Sequence, residues 1–340
     1  MVNINTKQWI KLREIALIND LLWLWKVSWD VCNEDSSHTH LIRTVYYFLR
    51  VQKNRFAFMT KSVYFFNSLK PFIHAKEGSP IHKLITHRPE TVGAVVWPYQ
   101  CNSWDAKERL KKIEEHYNII ENDCPTLEFH VHGALKLVNL GDIYEHLHVV
   151  IDRPKWFMRE GQLVINLFLS NVRIFSLAFS FAPRSGNVVA YVGALQGRNI
   201  DGMLNTYKDI TKAMYGMRPH DLLFESFRSF CRAVGVSMIF AVSESHRHHR
   251  SSYFSKTDYF SKSTLNYDRA WFERGGILES PDFFMLGVEP HLKSMEDIPS
   301  HKRSMYRQRY KLLEVIDARI QHAYAHLGEN HFLEYPFNSL

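Results

Sequence analysis

Cysteine is scarce in this chain of 340 residues. The four present are Cys32, Cys101, Cys124 and Cys231, and no two of them form a Cys-x-x-Cys pair. So sparse a set excludes a disulfide framework of the kind that stabilises small secreted domains. A reducing compartment is the simpler interpretation.

Long apolar runs are also missing. The best run near the N-terminus, Leu21 to Trp25, is bounded by Asp20 and Lys26. No stretch approaches the roughly 20 apolar residues needed to cross a bilayer. The first residues lack the order of basic, apolar and small zones that marks a signal peptide. We therefore expect a soluble, cytoplasmic protein.

The composition is that of a globular protein, with 46% hydrophobic and 23% charged residues. The formal charge is +7, from 42 basic and 35 acidic side chains. Such an excess suits an acidic partner: a phosphorylated cofactor, an anionic lipid surface or nucleic acid. Nucleic acid is not expected, because the basic residues lack interleaved aromatics on a sheet face and no DNA-binding motif is present.

Residues 1–80 are predicted to form an N-terminal helical region. Apolar residues recur at spacings of three and four from Trp9 to Trp25, and the turn-like KEGSP segment closes the region at 76–80. Its tryptophans, Trp23, Trp25 and Trp29, either pack against the rest of the chain or rest on a membrane surface.

Residues 81–340 are predicted to form one mixed domain of the α+β class. A buried strand is expected at 90–99 and a charged helix at 104–118. From about residue 135 the apolar period becomes two, which predicts an antiparallel meander of five strands with hairpin turns at 159–162 and 183–187.

The second half of this domain returns to the helical period. Helices are expected at 204–214 and 223–234, the latter with Pro219 at its start and Gly235 past its end. A buried strand (236–243), a short helix (267–276), a strand (282–288) and a basic C-terminal helix after Ser300 follow.

The loop MYGMRPHDLL at 214–223 stands directly before a helix N-terminus, where free amides and the helix dipole favour an anion. Gly216 permits a close approach, Arg218 adds a donor fork, and His220 lies beside them. These residues are predicted to bind the phosphate of a cofactor. The alternative is an ordinary helix start, with Arg218 paired to a neighbouring acid.

The order of meander, loop, central helix, buried strand, closing helix and closing strand resembles the core of the GNAT-type acyltransferases. The resemblance implies that the loop before the central helix holds the pyrophosphate of an acyl-coenzyme A, and that the next strand splays away to admit the acyl arm. The sequence departs from the family's glycine-rich loop, with Met217, Arg218 and Pro219 at positions where glycines are usual.

A second resemblance covers roughly residues 40–320 and is to the VirK/YbjX family of bacterial proteins. It is based on REGQLVINLFL, RIFSLAFSF, YVGALQGR, ITKAMYGMRPHDLL, NYDRAWFERGG and HKRSMYRQRY, in that order. The family is associated with virulence, resistance to antimicrobial peptides and envelope phenotypes. The resemblance implies a bacterial protein acting in the cytoplasm or peripherally at the inner face of the inner membrane.

Several polar residues are candidates for the site. Gln196, Gly197 and Arg198 end a strand, and in an acyltransferase core they would hold the cofactor arm. Glu160 could serve as a general base if burial raised its pKa, although a hairpin-turn glutamate is more often solvated.

The other catalytic candidates follow the buried strand at 236–243. His246 could reach the splayed cleft as a base, and Tyr267 could donate a proton to a departing thiolate. Asp268 is expected to cap its helix. No metal is expected, because the histidines form no H-E-x-x-H motif and pair with no cysteine.

The leading hypothesis is an acyltransferase-like enzyme that moves an acyl group from acyl-coenzyme A or an acyl carrier protein to an amine or hydroxyl of an envelope component. This hypothesis requires free amides at the start of the helix near residue 221, facing an open cleft. The rival is a non-catalytic membrane-surface or chaperone-like factor that binds anionic inner-membrane lipids or a client protein.

Overall fold

The computed structural model of the protein describes residues 6–32, 41–129, 132–198, 202–254, 265–327 and 332–334. The chain divides into two compact units. The first comprises Met1–Trp97 and Asp105–Glu114, and the second comprises Pro98–Trp104 and Glu115–Leu340. The first unit contains the predicted helical region at 1–80 and continues beyond it.

Helices make up most of the described part of residues 1–80, as the periodicity predicted; residues 1–5 and 33–40 of the predicted region lie outside the described residues. The core of the first unit includes Leu24, Val27, Phe58, Leu69 and Phe72, all buried. Within the described residues the helices of the whole chain are α1 (Thr6–Cys32), α2 (Leu41–Tyr64), α3 (Phe66–Ile73), α4 (Pro80–His87), α5 (Ala106–Asn122), α6 (Met203–Ala213), α7 (Pro219–Val234), α8 (Tyr267–Phe272) and α9 (Arg303–Ala325). No helix in the described ranges combines the length and the apolarity that a bilayer crossing requires.

The prediction of a strand at 90–99 is wrong. Residues Pro89–Val95 form a buried 3-10 helix instead. The ring of Trp97 lies directly against Gly93, where even a methyl group would overlap it. A short apolar run has no clear period, so a buried helical turn and a buried strand look alike in sequence.

The second unit is built on a mixed, mostly antiparallel sheet, so the α+β class is confirmed. Its strands are β1 (Gly133–Asn139), β2 (Leu147–Asp152), β3 (Leu163–Leu169), β4 (Val172–Arg184), β5 (Asn187–Gly197), β6 (Met238–Val242), β7 (Ile277–Leu278), β8 (Phe283–Leu286) and β9 (Phe332–Glu334). The order across the sheet is β7-β8-β6-β5-β4-β3-β2-β1-β9.

The five-strand meander predicted from period-two patterning is confirmed as β1 to β5, each antiparallel to the next. The hairpin between β4 and β5 turns at Ser185 and Gly186, whose φ angles are 51° and 79°. Two consecutive left-handed residues form the tight turn that suits the twist of paired strands.

Helices α6 and α7 lie in the crossover that joins β5 to β6, and α7 leads directly into β6. Pro219 occupies its first turn and Gly235, with φ 84°, ends it. Its buried face includes Leu223, Phe227 and Phe230, part of the core beneath the sheet. Because of this crossover β6 runs parallel to β5, while every other neighbouring pair of described strands is antiparallel.

Candidate active site

The parallel strands β5 and β6 stay paired for only a few residues. Their register runs from Val189 opposite Met238 to Val192 opposite Ala241, and β5 continues to Gly197. A strand that loses its neighbour exposes main-chain donors and acceptors, which need other partners. Beyond the end of this pairing, the main-chain groups of β5 therefore need partners other than β6.

Two side chains of α8 fill the space where the strands separate. The hydroxyl of Tyr267 accepts from the Leu195 amide at 2.8 Å and donates to the Leu195 carbonyl at 3.1 Å. The indole nitrogen of Trp271 donates to the Val242 carbonyl at 2.8 Å. One phenol thus occupies both main-chain groups of Leu195 on the free edge of β5.

Glu160 lies against this edge. The turn predicted at 159–162 is part of the connection from β2 to β3, and Glu160 is only 7% exposed, so the expectation of a solvated turn glutamate is wrong. Its main chain lies so close to Gly193 that any side chain there would overlap the Glu160 carbonyl group. The side-chain amide of Gln100 donates to that carbonyl at 3.2 Å and to the Tyr191 carbonyl at 3.0 Å.

The carboxyl of Glu160 accepts a close hydrogen bond and has a histidine nearby. Gln196 Nε2 donates to Glu160 Oε1 at 2.6 Å. His248 Nδ1 lies 3.8 Å from the same oxygen, too far for a hydrogen bond, and that nitrogen is buried without a partner. We call Glu160, Gln196, Arg247, His248 and Tyr267 the Glu160 cluster.

Burial dominates the titration of this cluster. It raises the pKa of Glu160 to about 8, against the opposing effects of Arg247, the Gln196 hydrogen bond and Arg159. Burial also raises the pKa of Tyr267 and lowers the pKa of His248 well below its ordinary value. Near neutral pH the tyrosine and histidine are uncharged, and Glu160 is the group positioned to exchange a proton.

A second carboxylate holds the start of α8 in place. Glu244 Oε2 accepts from the Tyr267 amide at 3.0 Å and from Arg247 at 3.2 Å. The guanidinium of Arg247 lies 3.7 Å above the Tyr267 ring. The helix cap is Asn266, which accepts from the Arg269 amide at 2.9 Å, so the cap predicted at Asp268 is wrong.

Asp268 and His246 have other partners. Asp268 Oδ1 accepts from the Glu244 amide at 2.7 Å. His246 Nε2 lies 3.2 Å from Asp282, and its Nδ1 is 3.0 Å from the hydroxyls of both Ser243 and Ser245. His246 therefore has a carboxylate and hydroxyl environment of its own, distinct from that of Glu160.

The loop before α7 is occupied by protein groups. Tyr215 and Gly216 have φ angles of 52° and 78°, and the Tyr215 carbonyl accepts from Arg309 Nε and Nη2 at 3.1 and 2.8 Å. A Cβ at Gly216 would lie 2.9 Å from Arg309 Nη2. Gly216 therefore permits the close approach of Arg309 of α9, where the sequence hypothesis placed a phosphate.

Arg218 is paired with two acids, as in the alternative interpretation. Its Nε lies 2.7 Å from Asp221 and its Nη2 lies 3.1 Å from Glu273. The Asp221 and Leu222 amides already bond to the Arg218 carbonyl. Burial lowers the pKa of His220 to about 4, so it adds no charge at neutral pH. Two carboxylates thus stand where the phosphate was expected.

The predicted strand-end residues divide between two environments. Gln196 joins the Glu160 cluster, whereas the ring of Phe175 packs directly on Gly197. The Arg198 main chain donates to the Ile174 carbonyl at 3.0 Å and accepts from the Tyr207 hydroxyl at 3.0 Å. Of the predicted residues, the structure therefore brings Glu160, Gln196 and Tyr267 together.

Sequence reasoning missed Arg247 and His248 as members of the cluster. The run SESHRHHR has no period that shows which side chains point inward. The fold decides this through a main-chain bridge between Cys101 and Arg247 and a bond from the Asn102 amide to the His246 carbonyl at 2.8 Å. No sequence signal connects residues so far apart along the chain.

Comparison with known proteins identifies a family profile that matches the sequence of this chain. The profile of DUF535, described as a protein of unknown function, matches residues 48–322. No solved structure matches the chain.

Curated relatives are similar over part of their length. YbjX of Escherichia coli, an uncharacterized protein, is 24% identical over 71% of this chain and 74% of its own. Two uncharacterized proteins of Haemophilus influenzae are 27% and 28% identical, over 53% and 64% of this chain and 58% and 72% of their own lengths. The resemblance to the VirK/YbjX family is confirmed. Since the profile match extends over most of its length, the chain belongs to the DUF535 family.

Proposed function

We propose that the second unit is an acyltransferase-like enzyme with a GNAT-type core, and that Glu160 is its general base. The donor would be linked to phosphopantetheine, as acyl-coenzyme A or acyl carrier protein, and the acceptor would be an amine or hydroxyl of an envelope component. One observation is the main support: a buried carboxyl with a pKa of about 8 lies beside the edge of β5 where β5 and β6 stop pairing.

In the proposed reaction, Glu160 takes up one proton from the acceptor and returns it to the leaving group. The acceptor nitrogen or oxygen attacks the thioester carbonyl and gives its proton to Glu160 in its carboxylate form, which becomes the main form above about pH 8. The carbon–sulfur bond then breaks, and the departing thiolate takes the same proton back. A pKa of about 8 is close to the roughly 8.5 of an ordinary thiol, so transfer in both directions is easy.

Tyr267 has a positioning part in this proposal. Its pKa is raised by burial, which makes the phenol a poor proton donor at neutral pH. Its hydroxyl satisfies the Leu195 amide and carbonyl, the main-chain groups that the amides of a phosphopantetheine arm would use. We therefore expect the arm to displace the Tyr267 hydroxyl when it binds.

The free amides that the sequence hypothesis required near residue 221, at the start of α7, are not present, because the Asp221 and Leu222 amides bond to the Arg218 carbonyl. The proposal therefore depends on the Glu160 cluster and does not assign the donor's phosphates to residues 216–220. An anion there would approach the carboxylates of Asp221 and Glu273, both already paired with Arg218. These carboxylates already supply the negative charge that the helix dipole favours, and they would repel a second anion.

The test combines binding and turnover. Purified protein is titrated with acyl-coenzyme A and acyl carrier protein of several chain lengths, by calorimetry, and free thiol is measured after an amine is added. Glu160→Gln should bind the donor as the wild type does and lose turnover by about a hundredfold or more. Glu145→Gln, at an exposed glutamate of the same unit, is the matched control.

Two results would contradict the proposal. One is the absence of both heat and a thermal shift with every acyl donor. The other is turnover that survives Glu160→Gln. If His246→Gln abolished turnover instead, the base would be His246, beside Asp282.

A second candidate function is favoured by the surface of α1 and α2. Large apolar side chains are exposed along both helices, with Phe56 at 75% and Tyr64 at 81%. Clusters of exposed apolar residues are typical of surfaces that bind lipid or protein. The described members are Leu17, Ile18, Leu22, Trp25, Trp29, Leu49, Phe56, Val63 and Tyr64.

This observation supports a membrane-surface or chaperone-like role for the first unit. Flotation with vesicles containing anionic lipid tests it. Salt-sensitive binding that is lost in Leu22→Ser and Phe56→Ser, without any thiol release, would favour the non-catalytic function. Flotation equal to that of a protein-free control would exclude lipid as the partner.

A further inference from the structure

A cavity of about 450 Å³ opens in the second unit between the start of α7, the end of α8, residues 291–293 and the first half of α9. Its volume lies within the range of small-molecule sites in proteins. The residues that decide its chemistry are Arg218, Glu225, Arg274, Lys293, Tyr306 and Arg309. None of them belongs to the Glu160 cluster.

On the wall formed by α7 and α8, the acidic side chains are paired with arginines. Asp221 lies 2.7 Å from Arg218 and 2.5 Å from Arg274. Glu273 lies 3.1 Å from Arg218 and 2.8 Å from Arg269. These carboxylates are already neutralised by arginines, so this wall attracts neither a cation nor an anion strongly.

The opposite wall, formed by residues 291–293 and α9, has unmatched positive charge. Among the residues that the structure describes, neither Lys293 nor Arg309 has a carboxylate partner. The Arg309 guanidinium is nevertheless fixed, by its two bonds to the Tyr215 carbonyl and by the Tyr306 ring 4.2 Å away. The Tyr310 hydroxyl donates to the Lys293 carbonyl at 2.9 Å and ties that segment to α9.

Two buried polar atoms among the lining residues have no hydrogen-bond partner. They are Arg274 Nε, a donor, and Glu225 Oε2, an acceptor. The side chain of Arg274 is 5% exposed. Unsatisfied buried polar atoms are rare and costly in folded proteins. Both residues line the cavity, so the polar groups of a bound ligand would lie beside them.

We infer that this cavity binds a nucleotide-sized phosphorylated ligand, with its phosphate against Lys293 and Arg309 and its remaining polar groups toward Arg274 and Glu225. Two cations without carboxylate partners match a phosphate monoester, whose charge is about −1.5 to −2 at neutral pH. The guanidinium fork and the ammonium are the side-chain groups that most often bind phosphate. The inference does not depend on acyl transfer.

Calorimetry with the full chain tests the site, with ADP as the probe. Inorganic phosphate and glycerol 1-phosphate are titrated in parallel, to separate a nucleotide from a bare phosphate and from a lipid headgroup. We expect ADP to bind more tightly than either. Lys293→Gln and Arg309→Gln should each weaken ADP binding by about tenfold or more, because each removes one charge from the phosphate.

Arg307→Gln is the matched control, because it removes the same charge from an exposed position of α9 that does not line the cavity. ADP affinity within about twofold of wild type is expected for it. Since Arg309→Gln also releases the loop at Tyr215, Lys293→Gln is the decisive variant. Failure of ADP to bind at about 1 mM, equal losses in Arg307→Gln and Lys293→Gln, or inorganic phosphate binding as tightly as ADP would each overturn the inference.

Discussion

Replacing Glu160 with glutamine should change how the stability of the protein depends on pH. Glutamine has the shape of the protonated carboxyl and can still accept the bond from Gln196. It cannot ionise. The substitution therefore removes the titration of a buried carboxyl while leaving its packing and its hydrogen bond in place.

The magnitude follows from the shift in pKa from an ordinary 4.5 to about 8. A shift of about 3.5 units, at 1.36 kcal/mol per unit, corresponds to about 5 kcal/mol as an upper bound. Between these two values the folded protein holds a proton that the unfolded chain has lost, so stability falls as pH rises. The loss begins near pH 4.5, is complete near pH 8 and is absent from Glu160→Gln.

Urea unfolding at several pH values between 5 and 9 measures this effect. The quantity compared is the difference in free energy of unfolding between the variant and the wild type, because the contributions of other groups cancel in it. We expect that difference to grow by about 4 kcal/mol in favour of the variant as pH rises. Glu145→Gln should show no such growth. A difference for Glu160→Gln that stays constant across the range would refute the burial argument.

Three further substitutions test buried contacts of the second unit by their effect on the free energy of unfolding. Tyr267→Phe should cost about 1–3 kcal/mol, because the buried amide and carbonyl of Leu195 lose their partner. Gly193→Ala should cost about 3 kcal/mol or more, because the added methyl overlaps the Glu160 main chain. Arg228→Met should cost about 3–5 kcal/mol, because two buried carbonyls and a carboxylate lose the guanidinium that donates to them.

Matched changes separate these effects from general damage. Gly287→Ala meets nothing closer than 4.0 Å and should stay within about 1 kcal/mol of wild type. Adding Glu225→Gln to Arg228→Met should recover part of the loss, because the carboxylate left unpaired is then removed. If Gly193→Ala proves as mild as Gly287→Ala, the close approach of loop and strand is refuted.

The regular elements of the second unit could be predicted because their patterns are local. Strands β4 and β5 are long apolar runs joined by a short turn, and Pro219 and Gly235 mark the two ends of α7. The error at 90–99 has the opposite cause, since an apolar run without a period does not distinguish a buried 3-10 helix from a strand.

The sequence identified several residues of the site one at a time, but it did not show which of them lie together. Glu160, Gln196 and Tyr267 each stood out, but their meeting depends on the register of β5 and on the path of a loop tens of residues away. His246 and His248 are two positions apart, and only the turn between them determines which one is buried beside Glu160. Pairing between distant segments is the information that local patterns lack.

The two glycines at 161 and 193 leave no side chain between the loop and the strands below it. A Cβ at either position would overlap main-chain atoms, of Phe179 in one case and of Glu160 in the other. The backbone contacts therefore fix the distance between the main chain of Glu160 and the sheet. The position of the carboxyl then depends on the length of the residue 160 side chain. An aspartate at this position would hold the carboxyl about one methylene further from Gln196, so Glu160→Asp tests whether the hydrogen bond from Gln196 depends on that distance.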